Sequence, residues 1–314
     1  MAPPQTSGGF IIRIMGAEYF VVDGDKEVRC SVRGNFRIGK SSEEGMPVVG
    51  DNVTYRRESH VDSRGLTGMI VSIEPRRSIF ARAYAWEKKG HKVLGANLDR
   101  VFLVHSMKQP KFTPRLLDRM LVAAECYRIE PVICVNKIDL ARDDVEIENM
   151  ILPYRNLGYE TVPCSAISGD GIDRLRTLMS GVRSIMAGPS GAGKTSLLQA
   201  LQPGLDIRIS DVSRKTGKGR HTTTHFEFHP LQGGGYIGDT PGIREFGIWG
   251  LSKQGLGGCF RDFEPFIGTC RFATCTHSHE PECAVKEAVS QGKITDERYE
   301  SYLKILSELP DMLD

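Results

Sequence analysis

The stretch Ile185-Met186-Ala187-Gly188-Pro189-Ser190-Gly191-Ala192-Gly193-Lys194-Thr195-Ser196 constrains this chain more than any other. An apolar run meets a glycine-rich loop that opens into a helix-forming segment, with the spacing G-x-x-x-x-G-K-[ST]. Glycines at 188, 191 and 193 let successive backbone N–H groups turn inward around phosphate oxygens, and the helix N-terminus adds its dipole. The pattern predicts that residues Gly188 to Ser196 cradle a nucleotide phosphate chain. Lys194 would supply charge to the β- and γ-phosphates, and Thr195 a hydroxyl to Mg²⁺.

A phosphate loop does not select a base. Asn136-Lys137-Ile138-Asp139 follows the apolar run 131–135, and a carboxylate such as Asp139 accepts two hydrogen bonds from guanine N1 and N2, which adenine cannot supply. Asn136 and the stem of Lys137 would brace the loop and the base. Ser165-Ala166, after the strand-like 160–164, suits a second base loop whose backbone N–H meets guanine O6. The set predicts GTP over ATP, because a site built to hydrogen-bond one base leaves polar groups unpaired against the other. It also disfavours an ATP-driven motor.

Asp239-Thr240-Pro241-Gly242 completes the site, after a predicted hairpin formed by 225–229 and 236–238. Asp239 would hold Mg²⁺ through water, and the Gly242 N–H would meet the γ-phosphate. Between phosphate loop and hairpin lies His221-Thr222-Thr223-Thr224. One of these threonines is expected to close on Mg²⁺ and the γ-phosphate as a switch, and the sequence does not say which. Position 243 is Ile, so no glutamine follows Gly242 to orient water. His221 is the candidate for that task, with RNA binding or simple packing as its other reading. Arg208, Arg214, Lys215, Lys218 and Arg220 make the switch region basic.

The order of these parts is informative. The base loops precede the phosphate loop and the switch, whereas in common small GTPases they come last. Such circular permutation keeps the spatial site and moves the termini. It also leads the segment after Gly242 directly into the C-terminal region.

On either side of this α/β block the chain changes character. Residues 1–92 carry short strand-like runs at 11–14, 19–22, 28–32, 53–55 and 69–73, divided by Gly, Asp and Asn turns. Five such strands predict a small OB-type β-barrel that binds RNA, with a β-domain lacking any ligand as the plainer reading. This part holds 15 Lys and Arg against 11 Asp and Glu, although the whole chain is only +2. Arg76 and Arg77 at its exit are candidates for phosphate contact or for plain solvation. Residues 93–248 form the GTPase block.

From 249 to 314 the chain begins with a cysteine-rich segment and continues as two helical stretches. Cys270-x₄-Cys275-x-His277-x₅-Cys283 is a closed Cys₃His set, the pattern of one structural zinc per chain. Cys259 and His279 are rival ligands. Thr295 is expected to cap the last helix, with Tyr299, Tyr302, Leu303, Leu306 and Leu309 on its apolar side. No apolar run approaches bilayer length and the N-terminus lacks a signal-peptide pattern, so a cytoplasmic protein without membrane contact is expected.

With these residues in view, the chain resembles the circularly permuted, small-subunit-dependent GTPases of the RsgA/YjeQ family. The most specific pieces are Gly217-Lys218-Gly219-Arg220-His221-Thr222-Thr223-Thr224-His225, Asp239-Thr240-Pro241-Gly242-Ile243-Arg244-Glu245-Phe246, the Cys/His spacing and Glu297-Arg298-Tyr299-Glu300-Ser301-Tyr302-Leu303. Pro189 stands where the family often has Gln. The resemblance implies a monomeric late assembly factor that binds the small ribosomal subunit and its rRNA. It also implies slow GTP hydrolysis to GDP that the subunit stimulates. The reading from a different class is a non-catalytic RNA-binding adaptor with a structural nucleotide site.

Overall fold

The computed structural model describes residues 6–32, 46–57, 66–83, 91–205, 226–239, 248 and 250–309. The first part is a closed five-stranded barrel. Its strands are β1 (Thr6–Met15), β2 (Glu18–Asp23), β3 (Lys26–Val32), β4 (Asn52–Arg57) and β5 (Gly68–Ile73). Their order is β1-β2-β3-β5-β4, with β1 closing on β4 and only β3 and β5 parallel. All five predicted strands are present. Alternation puts Ile11, Val21, Val53, Tyr55 and Ile70 inside, each fully buried.

Arg76 is a correction to the phosphate-or-solvent expectation. Its guanidinium grips the buried Asp51 carboxylate in a two-pronged pair at 2.7 and 2.9 Å. Arg77 reaches Asp99 at 2.9 Å from an exposed position. A hairpin not read from the sequence, β6 (Ile79–Ala83) and β7 (His91–Ala96), runs across position 92 and joins barrel to sheet.

The central sheet contains β8 (Arg100–Ser106), β9 (Glu130–Asn136), β10 (Glu160–Pro163), β11 (Arg183–Ala187), β12 (Glu227–Pro230) and β13 (Tyr236–Asp239). Its order is β10-β9-β8-β11-β13-β12, parallel except for the edge strand β12. The phosphate-loop strand β11 therefore sits centrally, with the earlier base-loop strands on one side and the later β13 on the other. That is the permuted arrangement in space. Helices α1 (Pro114–Cys126), α2 (Asp144–Asn156), α3 (Ile172–Met179) and α4 (Lys194–Leu201) accompany the sheet. β8 and β9 are buried at every residue but the first, with apolar centres at 101–104 and 131–135, as strands covered on both faces must be.

Barrel and sheet meet through aromatic rings and one arginine. Phe10 of β1 packs edge-on against Tyr236 and Phe228, with centroids 4.9 and 6.4 Å away. Arg183 lies over the Phe10 ring at 3.9 Å and donates to Gly50 O and Asn52 Oδ1.

The C-terminal part packs on a second face of α1. Leu117, Leu121 and Ala124 turn to the sheet, whereas Val122 and Cys126 join the C-terminal core of Leu256, Phe260, Phe263 and Tyr302. That part consists of 3-10 turns at Leu256–Cys259 and Arg261–Phe266, then α5 (Ala284–Ser290) and α6 (Asp296–Glu308). Thr295 caps α6 by accepting from the Arg298 N–H. Arg298 itself is buried and pairs with Asp118 of α1 and with Asp262. Among the described residues no helix is long and apolar enough to cross a membrane.

Candidate nucleotide site and metal centre

Because β8, β9, β10, β11 and β13 run parallel, their C-terminal ends share one edge of the sheet, where α/β folds place ligands. The loop after β11 is the phosphate loop, and its glycines answer to close contacts. Gly188 has φ +149°, and a Cβ there would lie 2.0 Å from Val104 O of the neighbouring strand. Gly193 has φ +94°, and a Cβ there would strike Asn136 Nδ2 at 2.2 Å. Residues with side chains are excluded at both places.

Asn136 ends β9 and ties three loops together. Its Nδ2 donates to Ala192 O in the phosphate loop at 2.9 Å, and its Oδ1 accepts from the Ala166 N–H at 3.2 Å. Lys137 takes the left-handed conformation, φ +65°, and its ammonium donates to Gly191 O at 2.8 Å and to Gln109 O. Ser165, fully buried, donates to Asp139 Oδ1 and accepts from the N–H groups of Ile167 and Ser168. Asp139 is thereby oriented by a partner from the second base loop. Ile138 begins the short 3-10 turn that carries Asp139. The structure thus brings Asn136, Lys137, Asp139, Ser165 and Ala166 to the phosphate loop.

Lys194 begins α4, and its ammonium donates to Gly188 O and Pro189 O at 3.0 and 2.9 Å. Thr195 and Ser196 follow in the first turn. Asp239 ends β13, beside β11, although its side chain lies outside the described residues. His221, Thr222, Thr223, Thr224 and Gly242 also lie outside them.

His105, near the end of β8, is a residue the sequence reading missed. It is 1% exposed and stands edge-on to Phe112. Its Nε2 is buried with no hydrogen-bond partner among the described residues. Burial, assisted by the charge of Lys194, pulls its pKa down to about 4. A histidine at the end of an apolar run reads as a strand end in sequence, and only the fold brings it within reach of the Lys194 charge.

The second site is the Cys/His loop. The ligand atoms of Cys270, Cys275, His277 and Cys283 all lie within 4.8 Å of one another. Cys270 Sγ and Cys283 Sγ each stand 3.5 Å from His277 Nδ1 and 3.9 Å from each other. Tetrahedral zinc with S at ~2.3 Å and N at ~2.0 Å requires edges of about 3.5 Å between S and N and about 3.8 Å between S and S. The four residues therefore fit that ion. The His277 N–H also points at Cys275 Sγ, the usual support of a thiolate ligand.

The loop is stapled from outside. Tyr299 and Tyr302 of α6 donate to His277 O and Thr276 O at 2.8 and 2.6 Å, so these apolar-side residues also carry polar work. Burial pushes the Glu280 carboxyl up, but bonds from the Thr276 hydroxyl and from the N–H groups of Thr276 and Ser278 outweigh it, leaving it near 2. The two rival ligands stand apart from the set. His279 is exposed on Ser278 Oγ, and Cys259 shares a hydrogen bond with Cys126.

Comparison with known proteins agrees with this geometry. Residues 73–249 match the model of the RsgA GTPase family. The small ribosomal subunit biogenesis GTPase RsgA of Gemmatimonas aurantiaca is 42% identical over 262 residues, 83% of this chain and 84% of that protein. The protein of the same name from Caldanaerobacter subterraneus is 37% identical over 303 residues, 96% of each chain. Among solved structures, YjeQ from Thermotoga maritima is 33% identical with a TM-score of 0.78, covering 97% of this chain and 99% of that one. YloQ, described as a circularly permuted GTPase, is 30% identical with a TM-score of 0.74 over 97% and 95%. The chain belongs to the RsgA GTPase family.

Proposed function

We propose that this chain hydrolyses GTP to GDP as a late assembly factor of the small ribosomal subunit, binding rRNA and responding to the subunit with faster turnover. The observation that carries the reading is the bracing of the base loops against the phosphate loop by Asn136, with Asp139 oriented by Ser165. Asp139 then accepts from guanine N1 and N2, and the Ala166 N–H turns from Asn136 Oδ1 to guanine O6 when the base enters. Residues Gly188 to Ser196 wrap the phosphates, and Lys194 transfers its ammonium from the loop carbonyls to the β- and γ-oxygens.

Thr195 stands in the first turn of α4, reached from β11 through the phosphate loop, and Asp239 ends the adjacent strand β13; a hydroxyl and a carboxylate suit a hard cation. These two and one of Thr222, Thr223 or Thr224 would hold Mg²⁺. Mg²⁺ would neutralise charge building on the phosphate oxygens. The Gly242 N–H reads the γ-phosphate, and His221 orients the attacking water, because Ile243 cannot. The Cys270, Cys275, His277 and Cys283 set holds one structural zinc.

The division of labour follows three parts: residues 1–92 for RNA, 93–248 for GTP and 249–314 for the metal, with the β6–β7 hairpin joining the first two. The working unit is a single cytoplasmic chain. GTP turnover measured with and without small subunits tests the reading. Subunit-stimulated release of phosphate, abolished in Lys194→Ala, is expected. Absence of stimulation favours an RNA-binding adaptor with a structural nucleotide site. His221→Ala separates the water role, because it should bind GTP normally and lose stimulated turnover.

A further inference from the structure

Eight cysteines divide into three groups by surroundings. Cys270, Cys275 and Cys283 belong to the metal set. Cys30, Cys134 and Cys164 are fully buried, and burial pushes their thiols up, Cys30 and Cys164 to about 12, so they are poor nucleophiles. The remaining two face each other across the junction between the GTPase sheet and the C-terminal part. Cys126 is the last residue of α1, and Cys259 is the last residue of the 3-10 turn that packs on α1. Neither is in a disulfide.

Their environments are unequal. Cys126 is partly exposed and Cys259 is buried. The Cys126 and Cys259 side chains share a hydrogen bond, and the Cys259 thiol also lies 3.9 Å from Gly255 O as a donor. The contact pulls the Cys126 thiol below its usual range and, with burial, pushes the Cys259 thiol above it. A partly exposed, acidified thiol beside a buried second thiol is the arrangement of an attacking and a resolving cysteine.

We propose that Cys126 and Cys259 form an oxidation site at which a hydroperoxide converts the contact between α1 and the C-terminal part into a covalent tether. The Cys126 thiolate attacks the peroxide oxygen, the O–O bond breaks, and the alkoxide or hydroxide leaves with the electron pair. The resulting sulfenic acid is attacked by the Cys259 sulfur. The S–S bond forms, the S–O bond breaks and water departs, carrying the Cys259 proton. Two thiols are oxidised and one peroxide is reduced. A thiol reductant reverses the step.

The tether would lie in the same junction as the buried Asp118–Arg298–Asp262 cluster, so it adds a bond where the two parts already grip each other. Closing so long a loop restricts the unfolded chain.

The test treats zinc-loaded protein with hydrogen peroxide, alkylates the remaining thiols and maps peptides without reduction. The expected dominant product is a Cys126–Cys259 linked peptide that dithiothreitol removes, with a thermal midpoint raised by several degrees. Cys126→Ser should give neither the link nor the shift. Cys259→Ala should leave Cys126 as a sulfenic acid that dimedone traps. Oxidation of Cys270, Cys275 or Cys283 while Cys126 and Cys259 stay alkylatable overturns the proposal. So does Cys126 sulfinic acid beside an unchanged Cys259 in the unmutated chain. A link that leaves the midpoint unchanged overturns the tether.

Discussion

Asn136 and His277 stand at the centres of two sites built from short loops, and they are held there by different means. Asn136 ends a strand buried on both faces, and it reaches the neighbouring loops through fixed hydrogen bonds to Ala192 and Ala166. His277 sits in a left-handed turn, φ +55°, on a segment without regular structure between Phe266 and Ala284. Its supports are Tyr299, Tyr302 and Glu280 at the edge and the other ligands at the centre. The nucleotide site inherits its order from the sheet, and the cysteine loop, under the zinc proposal, would depend on the ion it gathers. The two should therefore fail independently.

Metal removal gives the largest effect. Structural zinc contributes apparent binding energy on the order of 10 kcal/mol, most of which folds its loop. Chelation, or Cys275→Ser, is expected to make residues 270–283 sensitive to protease while GDP binding persists. Mass spectrometry for zinc and limited proteolysis read the first part, and nucleotide titration the second. Loss of GDP affinity on chelation would break the comparison.

The reciprocal change is Asp139→Asn. It keeps the Ser165 contact and replaces an acceptor oxygen by a donor, so GTP affinity should fall by about 10⁴-fold or more. Xanthosine triphosphate, whose base offers a complementary oxygen, should bind the variant better than GTP does. Zinc content should stay at one per chain. Equal GTP affinity in both proteins would remove Asp139 from the base.

The junction between the regions is tested by Arg298→Ala. Arg298 bonds Asp118 and both oxygens of Asp262, and all three residues are buried. Removing the cation strands two carboxylates, a change that typically costs about 3–5 kcal/mol. Denaturant unfolding should show that loss, and Asp118→Asn combined with Asp262→Asn should recover part of it. A loss below ~1 kcal/mol would mean that the junction is held by its apolar core alone.

His105 supplies a smaller, pH-dependent effect. Its pKa falls from 6.5 to about 4 on folding, so between those values the unfolded chain binds the extra proton. Stability is complete above pH 6.5 and declines as pH drops toward 4, by up to about 3 kcal/mol. His105→Phe should flatten that decline in denaturant midpoints measured at pH 4.5 and 7. An unchanged slope would assign acid sensitivity to other groups.

What the sequence disclosed was whatever a short spacing encodes. The phosphate loop, the Asn136–Asp139 turn and the Cys/His set are each contained in a few residues whose chemistry depends on backbone geometry. The five barrel strands were legible because alternation and turn residues are local, and the order of the motifs was enough to expect the permuted sheet. The junction was not legible. Arg298 follows Asp296 and Glu297 in what reads as a charged first helical turn, and its partners lie 180 and 36 residues away. Arg76 reads as half of a basic pair until Asp51 is seen beneath it. The Tyr299 and Tyr302 rings follow helical period, but their hydroxyl bonds to the metal loop depend on tertiary placement.

We propose, from the basic switch residues Arg208, Arg214, Lys215, Lys218 and Arg220, that the bound nucleotide governs engagement of the small subunit. Sedimentation of the chain with purified small subunits, in a non-hydrolysable GTP analogue and in GDP at matched salt, tests it most directly. The chain should pellet with the subunit in the analogue and stay largely in the supernatant in GDP. Equal pelleting in both states would contradict it.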